Sequence, residues 1–223
     1  MTLLLSALLL ALYAPVQSGE ANTRGAREAC PPPARAKAAS SAANMAAAKA
    51  AVAGLQQIVA CVGSHAIAEA TFAHWAGILR KEAEAPGAKE RLSSTEVVKQ
   101  VIGFLLTGIW VIDEAKARGI HVTNRQLHRR FDTIRNGEFH NRRGFEAFLG
   151  RTGQTVADLL LRVRVNLLAT RIQSRVLAGH RGEASKQRAL NRFSQSFKDR
   201  WKSITYCAPK YAIADCGHVR HPL

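Results

Sequence analysis

The most regular pattern of apolar positions runs from Thr155 to Gly179. Thr155 is a favourable N-cap residue, Asp158 follows three residues later, and Gly179 suits the far end of a helix. Between these ends, apolar residues recur every three to five positions, at Val156, Leu159, Leu160, Val163, Leu167, Ile172 and Val176. The pattern predicts one long helix, covered on more than one side, as the spine of a helical domain.

Similar periodicity predicts five further helical segments. They cover 69–83, from Ser93 or Ser94 to Gly119, from Thr123 to Gly137, about 145–149, and 185–203. The second is nearly all apolar over 97–112, but its uncharged interior is too short for a membrane span. We therefore expect it to be a central buried helix.

Only two stretches have the character of a strand, Gln57–Val62 and Tyr211–Ala214. Because they lie at opposite ends of the domain, we expect them to pair and to hold the termini together. The predicted fold is mainly α, a multi-helix domain with a small β element that joins the N- and C-terminal strands.

The N-terminal part of the chain differs in composition from the rest. Residues 2–16 are rich in leucine and resemble the apolar core of a signal peptide, although no Lys or Arg precedes them. Residues 20–55 are rich in Ala, Pro and Arg, which predicts a tether. We therefore divide the chain into a leader or anchor at 1–19, this tether, a helical domain at 56–216 and a tail at 217–223.

The chain carries 32 Lys and Arg against 16 Asp and Glu, a formal net charge of +16. Such an excess favours contact with a polyanion or an anionic surface. Arg125, Arg129, Arg130 and Arg135 give the helix after Thr123 some likeness to a DNA-recognition helix. The expected export and the lack of a compact tri-helical unit before it argue against a nucleic-acid partner.

Four cysteines are present, at positions 30, 61, 207 and 216. Cys207 and Cys216 enclose only eight residues, so an oxidising compartment favours a local disulfide between them. The alternative is a zinc site formed by Cys207, Cys216, His218 and His221, but its spacing is loose. Cys61 is expected to be buried in a strand, and the residues before Cys30 do not form a lipidation signal.

No motif in the chain predicts catalysis. There is no G-x-S-x-G, phosphate-binding loop or H-E-x-x-H pattern. His74, next to Trp75, suits a histidine that covers a core tryptophan better than a catalytic residue. We predict no catalytic residue, metal or cofactor.

Several segments together resemble the SurA/PrsA-type foldases, which are often labelled peptidylprolyl isomerases. The resemblance covers about residues 57–216 and is carried by VGSHAIAEATFAHW, WVIDEAKARGIHVT, FDTIRNGEF, FEAFLGRTGQTVADLLLRVRVNLLATRI, WKSITYC and YAIADC. It implies a SurA N-terminal-like chaperone domain that holds extended, unfolded clients and is closed by a C-terminal helix and strand. The chain departs from the family pattern at Ala66, where a proline is favoured.

In that family a parvulin isomerase domain is commonly inserted between the long helix and the C-terminal helix. Here that place falls between about Val176 and Ala189, which leaves room only for a short linker. Isomerase activity is therefore not expected to carry over. It stays an alternative by family label alone.

The resemblance and the residues lead to one main hypothesis, an exported, ATP-independent chaperone for unfolded polypeptides. We expect it on the extracytoplasmic side of the cell envelope or secreted, with membrane contact only through an uncleaved leader. A helical cradle with surplus aromatic side chains would hold the client, although these side chains also suit a core. The candidates are Trp75, Phe104, Trp110, Phe131, Phe145 and Phe148. The alternative from another class is a basic envelope-associated protein that binds anionic polymers or lipids.

Overall fold

The computed structural model describes residues 58–84 and 92–219, and within these ranges the chain is mainly helical. The helices are α1 (Glu69–Ala83), α2 (Ser94–Ala117), α3 (Asn124–Glu138), α4 (Arg142–Thr152), α5 (Val156–Leu177) and α6 (Glu183–Lys202). Four short strands are β1 (Ile58–Val62), β2 (His65–Ala68), β3 (Thr205–Cys207) and β4 (His218–Val219). The expected leader, tether and Cys30 lie outside the described residues.

Four of the six described helices, α2 to α5, begin at polar residues that cap their free N–H groups. Ser93 accepts a hydrogen bond from the backbone N of Glu96, and Thr123 and Thr155 each form a capping box, as their positions predicted. Helix α4 starts earlier than expected because Asn141 caps it, at 2.8 Å from the backbone N of Gly144. It ends at Gly153, whose φ of 70° suits glycine, instead of at Gly150.

The four strands form one sheet in the order β2-β1-β3-β4. Strand β1 is antiparallel to both β2 and β3, so the two ends of the domain pair as expected. The predicted partner Tyr211–Ala214 is wrong, because Thr205–Cys207 forms the strand. Pro209–Tyr211 forms a 3-10 turn, and the Tyr211 hydroxyl donates to Glu69 Oε1 at 2.8 Å.

The Cys207 and Cys216 sulfurs lie at disulfide distance, 2.03 Å apart. The proposed zinc site is therefore not formed by this pair, and His218 instead stacks on Tyr206 with ring centroids 4.4 Å apart. His218 and Val219 pair with β3, so ordered structure extends past residue 216, where the sequence placed the end of the domain. Cys61 is buried in β1 and is also disulfide-bonded.

Three apolar clusters fill the interior of the described part of the chain. The first lies between the sheet, α1 and the first half of α2, and the second between the end of α2, α5 and α6. The third is a smaller cluster between α3, α4 and the start of α5. Helix α5 contributes to more than one cluster, as expected of a spine, but Val156 at its start is 40% exposed and does not belong to its buried face.

Helix α2 is the one described helix that is long and apolar enough to cross a membrane. Half of its apolar window is buried inside the domain. Buried core helices pass the same test, so this is weak evidence for a membrane span. The burial agrees with the central position that its sequence predicted.

A buried polar network fastens α6 and β3 to α2. Glu114 is only 2% exposed, and its carboxylate accepts hydrogen bonds from Trp201 Nε1 at 2.8 Å and Arg118 Nε at 2.5 Å. Trp110 Nε1 donates to the Thr205 hydroxyl at 3.0 Å, and that hydroxyl donates to the Trp201 carbonyl. The last helix and the sheet therefore meet α2 through directional contacts as well as apolar packing.

We expect Glu114→Ala to lower the free energy of unfolding by about 3–5 kcal/mol, because it leaves the buried Trp201 N–H, Arg118 and Arg200 without their acceptor. Glu114→Gln keeps an acceptor oxygen and should cost less. Urea unfolding followed by tryptophan fluorescence measures both. Glu96→Ala, at a more exposed position of the same helix, is the control. A loss for Glu114→Ala no larger than that for Glu96→Ala contradicts the prediction.

Candidate functional site

The candidate site is an apolar pocket between α3, α4 and α5, which we call the phenylalanine pocket. It is lined by Phe131, Ile134, Arg135, Phe139, Phe145, Phe148, Leu159 and Val163. Its cavity is about 20 Å³, enough for about one water-sized group. In the conformation described it therefore has no room for a large side chain.

Four phenylalanine rings form the centre of this pocket. The Phe139 ring centroid lies 5.2 Å from that of Phe145 and 5.1 Å from that of Phe148, and Phe131 lies 6.1 Å from Phe145. These distances fall in the range favoured by aromatic pairs. Phe131, Phe145 and Phe148 are buried, whereas Phe139 is half-buried, so the pocket approaches the surface at Phe139.

Local sequence places the rings together. Helix α3 turns Phe131 inward, and the backbone becomes extended at its C-cap residue, Phe139, with φ −125° and ψ 121°. Asn141 then starts α4, so Phe145 and Phe148 lie three residues apart on one face of that helix. The bend between two helices therefore presents Phe139 to the face of α4.

Arg135 is the charged member of the lining. Its guanidinium lies 5.8 Å from the centroid of the Phe131 ring, where a cation is attracted to the π face. It also lies 3.2 Å from the Asp132 carboxylate and donates to Asn136. The pocket thus combines apolar walls with a half-buried cation that already has an acidic neighbour.

The structure divides the six client-binding candidates between two clusters. Phe131, Phe145 and Phe148 belong to the pocket. Trp75 is 5% exposed and Trp110 is 2% exposed, and both belong to the first apolar cluster with Phe104 packed against it. The six candidates therefore lie in two separate clusters and not along one surface.

The rings of Trp75 and Phe104 pack against Arg162 and do not line an open groove. Their ring centroids are 4.6 Å apart, and the Arg162 guanidinium lies 5.1 Å from the Trp75 ring and 5.6 Å from the Phe104 ring. Trp110 is occupied by its hydrogen bond to Thr205. Trp75 and Trp110 therefore lie within the interior of the described domain, whereas Phe104 is half-buried.

A polar cluster surrounds Arg162. Gln154 Nε2 donates to Glu82 Oε1 at 2.9 Å, and Arg162 Nη1 lies 3.7 Å from the same oxygen. Burial raises the pKa of Glu82, and the nearby Arg162 opposes this only in part. Burial likewise lowers the pKa of Arg162. Within the described residues, Gln154 Oε1 and Arg162 Nε are buried without a hydrogen-bond partner.

The contacts of His74 support the fold. Its Nε2 lies 3.0 Å from Asp158 Oδ2, and its ring meets the Trp75 ring edge-on at 5.8 Å. Burial raises the pKa of Asp158, but hydrogen bonds from Thr155 and His74 outweigh it and hold the pKa below its usual value. No group of three or more metal-ligating side chains occurs in the part of the chain that the structure describes.

Five members of the pocket were not among the predicted client-binding residues, namely Ile134, Arg135, Phe139, Leu159 and Val163. Leu159 and Val163 were predicted only as apolar positions of the long helix, and Arg135 only as part of a helix with some likeness to a DNA-recognition helix. The available signal was Phe139 directly after the Gly137–Glu138 helix end, followed by Phe145 and Phe148. Only the angle between α3 and α4 shows that these rings meet.

Comparisons with known proteins do not supply an identity. The chain matches no protein-family model, no curated protein and no solved structure. The function is therefore inferred from the residues of the chain and from the resemblance described above.

We expect Glu82→Gln to change how stability depends on pH. Above the raised folded-state pKa of Glu82, its buried charge costs free energy, whereas below the ordinary value of 4.5 the carboxyl is protonated in both states and the cost vanishes. Wild type should therefore gain stability relative to Glu82→Gln as the pH falls from neutral to below that value. Urea unfolding at neutral pH and at a pH below 4.5 tests this. The control is Glu84→Gln, at an exposed position. A relative loss for the wild type at the lower pH contradicts it.

Proposed function

We propose that this chain is an exported, ATP-independent chaperone that holds unfolded or extended polypeptide at the phenylalanine pocket. The observation that carries the proposal is the convergence of four phenylalanine rings on a pocket whose members Ile134, Arg135 and Phe139 are half-buried. Apolar side chains that a folded protein buries are the feature that unfolded clients share. A surface of rings recognises them with little dependence on sequence.

Binding at this pocket needs only a local rearrangement. The cavity holds about one water-sized group, so a client side chain enters between Phe139 and the rings of Phe145 and Phe148, and the Phe139 ring then packs on the client. Phe139 lies between two helices and not within one, which makes it the natural residue to move. Burial of apolar area then provides the binding free energy, and no nucleotide is required.

The architecture agrees with what the resemblance to SurA/PrsA-type foldases implies. A mainly helical domain is closed by a C-terminal helix and by a strand that pairs with the N-terminal strand. The disulfides fit the proposed extracytoplasmic or secreted location, because such bonds persist in oxidising compartments. The proposed partners are unfolded polypeptides, with no cofactor and no nucleic acid.

We predict that the full chain suppresses aggregation of a chemically unfolded client and that Phe139→Ala weakens this several-fold. The substitution removes the half-buried ring that contacts Phe145 and Phe148. Light scattering after dilution of the client from denaturant measures the effect. Phe193→Ala is the matched control, because Phe193 is also half-buried but lies on α6, against Arg118 and Phe197.

A second variant separates binding from folding. Ile134→Gln changes the pocket lining without removing a ring, and its urea unfolding curve shows whether the domain stays folded. Loss of suppression in a folded Ile134→Gln protein supports the pocket. The proposal is wrong if wild type at equimolar ratio leaves scattering unchanged, or if Phe139→Ala and Phe193→Ala are equally active.

The isomerase alternative has a separate test. Helix α5 ends at Leu177 and α6 starts at Glu183, so the place where the family inserts a parvulin domain is a short loop. We expect the chain to leave the proline-limited refolding rate of a model protein unchanged, whereas an authentic isomerase added to the same assay raises it. A concentration-dependent acceleration by the chain would restore the enzymatic alternative.

A further inference from the structure

Six arginines on two neighbouring helices have no acidic partner among the described residues. They are Arg125, Arg129 and Arg130 of α3 and Arg164, Arg171 and Arg175 of α5. We call this set the arginine face. The three on α3 and Arg175 are exposed, and Arg164 and Arg171 are half-buried.

Two contacts bring the arginines of α5 to the start of α3. Arg164 Nη2 donates to Asn124 Oδ1 at 3.4 Å, and Arg171 Nη1 donates to the carbonyl of His121. Asn124 is the first residue of α3, and Arg125 follows it. Arg175 is one turn beyond Arg171 on the same side of α5, and Arg129 is one turn beyond Arg125 on α3, so the charges of the two helices adjoin around the start of α3.

Several other basic residues of the domain have an acidic partner. Arg135 pairs with Asp132, Arg142 with Glu146 and Lys186 with Glu183. On the arginine face, the first turn of α3 carries no acid, and neither Arg164 nor Arg171 contacts a carboxylate. Repulsion among these charges is therefore relieved only by solvent, salt or an anionic partner.

We propose that the arginine face docks the domain on an anionic phospholipid surface. Arginine forms paired hydrogen bonds to phosphate, and six arginines over two helices suit an array of head groups better than one small anion. The apolar run at 2–16, interpreted above as a leader or anchor, would bring the same chain to a membrane. Lipid is therefore favoured over a soluble polyanion.

This surface is separate from the phenylalanine pocket. Arg125 and Arg129 lie on the solvent side of α3, whereas Phe131 and Ile134 face the pocket from its other side. Client binding and lipid docking therefore use different residues of one helix. Failure of either proposal leaves the other intact.

The test is sedimentation of the full chain with vesicles of phosphatidylcholine, alone or mixed with phosphatidylglycerol. Insertion of an apolar leader does not require lipid charge, so the difference between the two vesicles isolates the electrostatic contribution. We expect binding to the mixed vesicles to fall at least about tenfold in Arg125→Gln/Arg129→Gln/Arg130→Gln, given the usual contribution of each basic residue near a membrane. High salt should have the same effect on wild type.

The control is Arg143→Gln/Arg188→Gln/Arg192→Gln, which removes the same charge from exposed arginines of α4 and α6. It should retain most of the binding. Equal losses in the two triple variants would show that net charge alone acts, and equal binding to both vesicles would show that the leader alone acts. Displacement from the mixed vesicles by an equal phosphate concentration of soluble polyphosphate would identify a soluble polyanion as the partner. Each of these three results overturns the proposal.

Discussion

The carboxylate of Glu114 organises the C-terminal half of this domain. A carboxylate that is 2% exposed is unfavourable in an apolar interior unless its hydrogen bonds are satisfied. Its partners come from two directions, Arg118 at the C-cap of α2 and both Trp201 and Arg200 on α6. Helix α6 therefore has one favoured position on α2, whereas apolar contacts alone would tolerate several. The strand that follows α6 is brought to β1 by this positioning.

The phenylalanine pocket lies outside this rigid centre. It is built from α3, α4 and the first turns of α5, and its rings pack mainly on one another. Its small interior can change without disturbing the contacts of Glu114, Trp110 or Thr205. A domain with a polar, directional centre and a separate aromatic cluster combines a fixed architecture with an adaptable surface. The proposed chaperone function depends on this division.

Local signals in the sequence predicted the helices well, because capping is a short-range interaction. Thr123 and Thr155 begin helices as their side chains indicated. The tail shows the limit of such signals. Tyr211 and Ile213 alternate with small residues as in a strand, but the Cys207–Cys216 disulfide and Pro209 turn the chain back. The short β3 lacks a strong pattern of its own and depends on β1 for its hydrogen bonds.

The pocket could be predicted only in part. Periodicity identified Phe131, Phe145 and Phe148 as inward-facing, and it gave the same answer for Trp75 and Trp110. Spacing along a helix specifies which side of the helix is apolar, but not whether a neighbour covers that side completely. Phe139 and Asn141 form the bend between α3 and α4. This bend leaves an incompletely filled space in the third apolar cluster.

The pairing of β1 with β3 also determines the order in which the protein can be completed. Ala60 pairs with Cys207, so the central strand has its second neighbour only after almost the whole domain has been synthesised. During synthesis, helices can form from local contacts while β1 keeps one edge open. The ribosome must release the C-terminal segment before that edge closes. The sheet is therefore completed late in folding, and premature chain termination leaves one edge of β1 exposed.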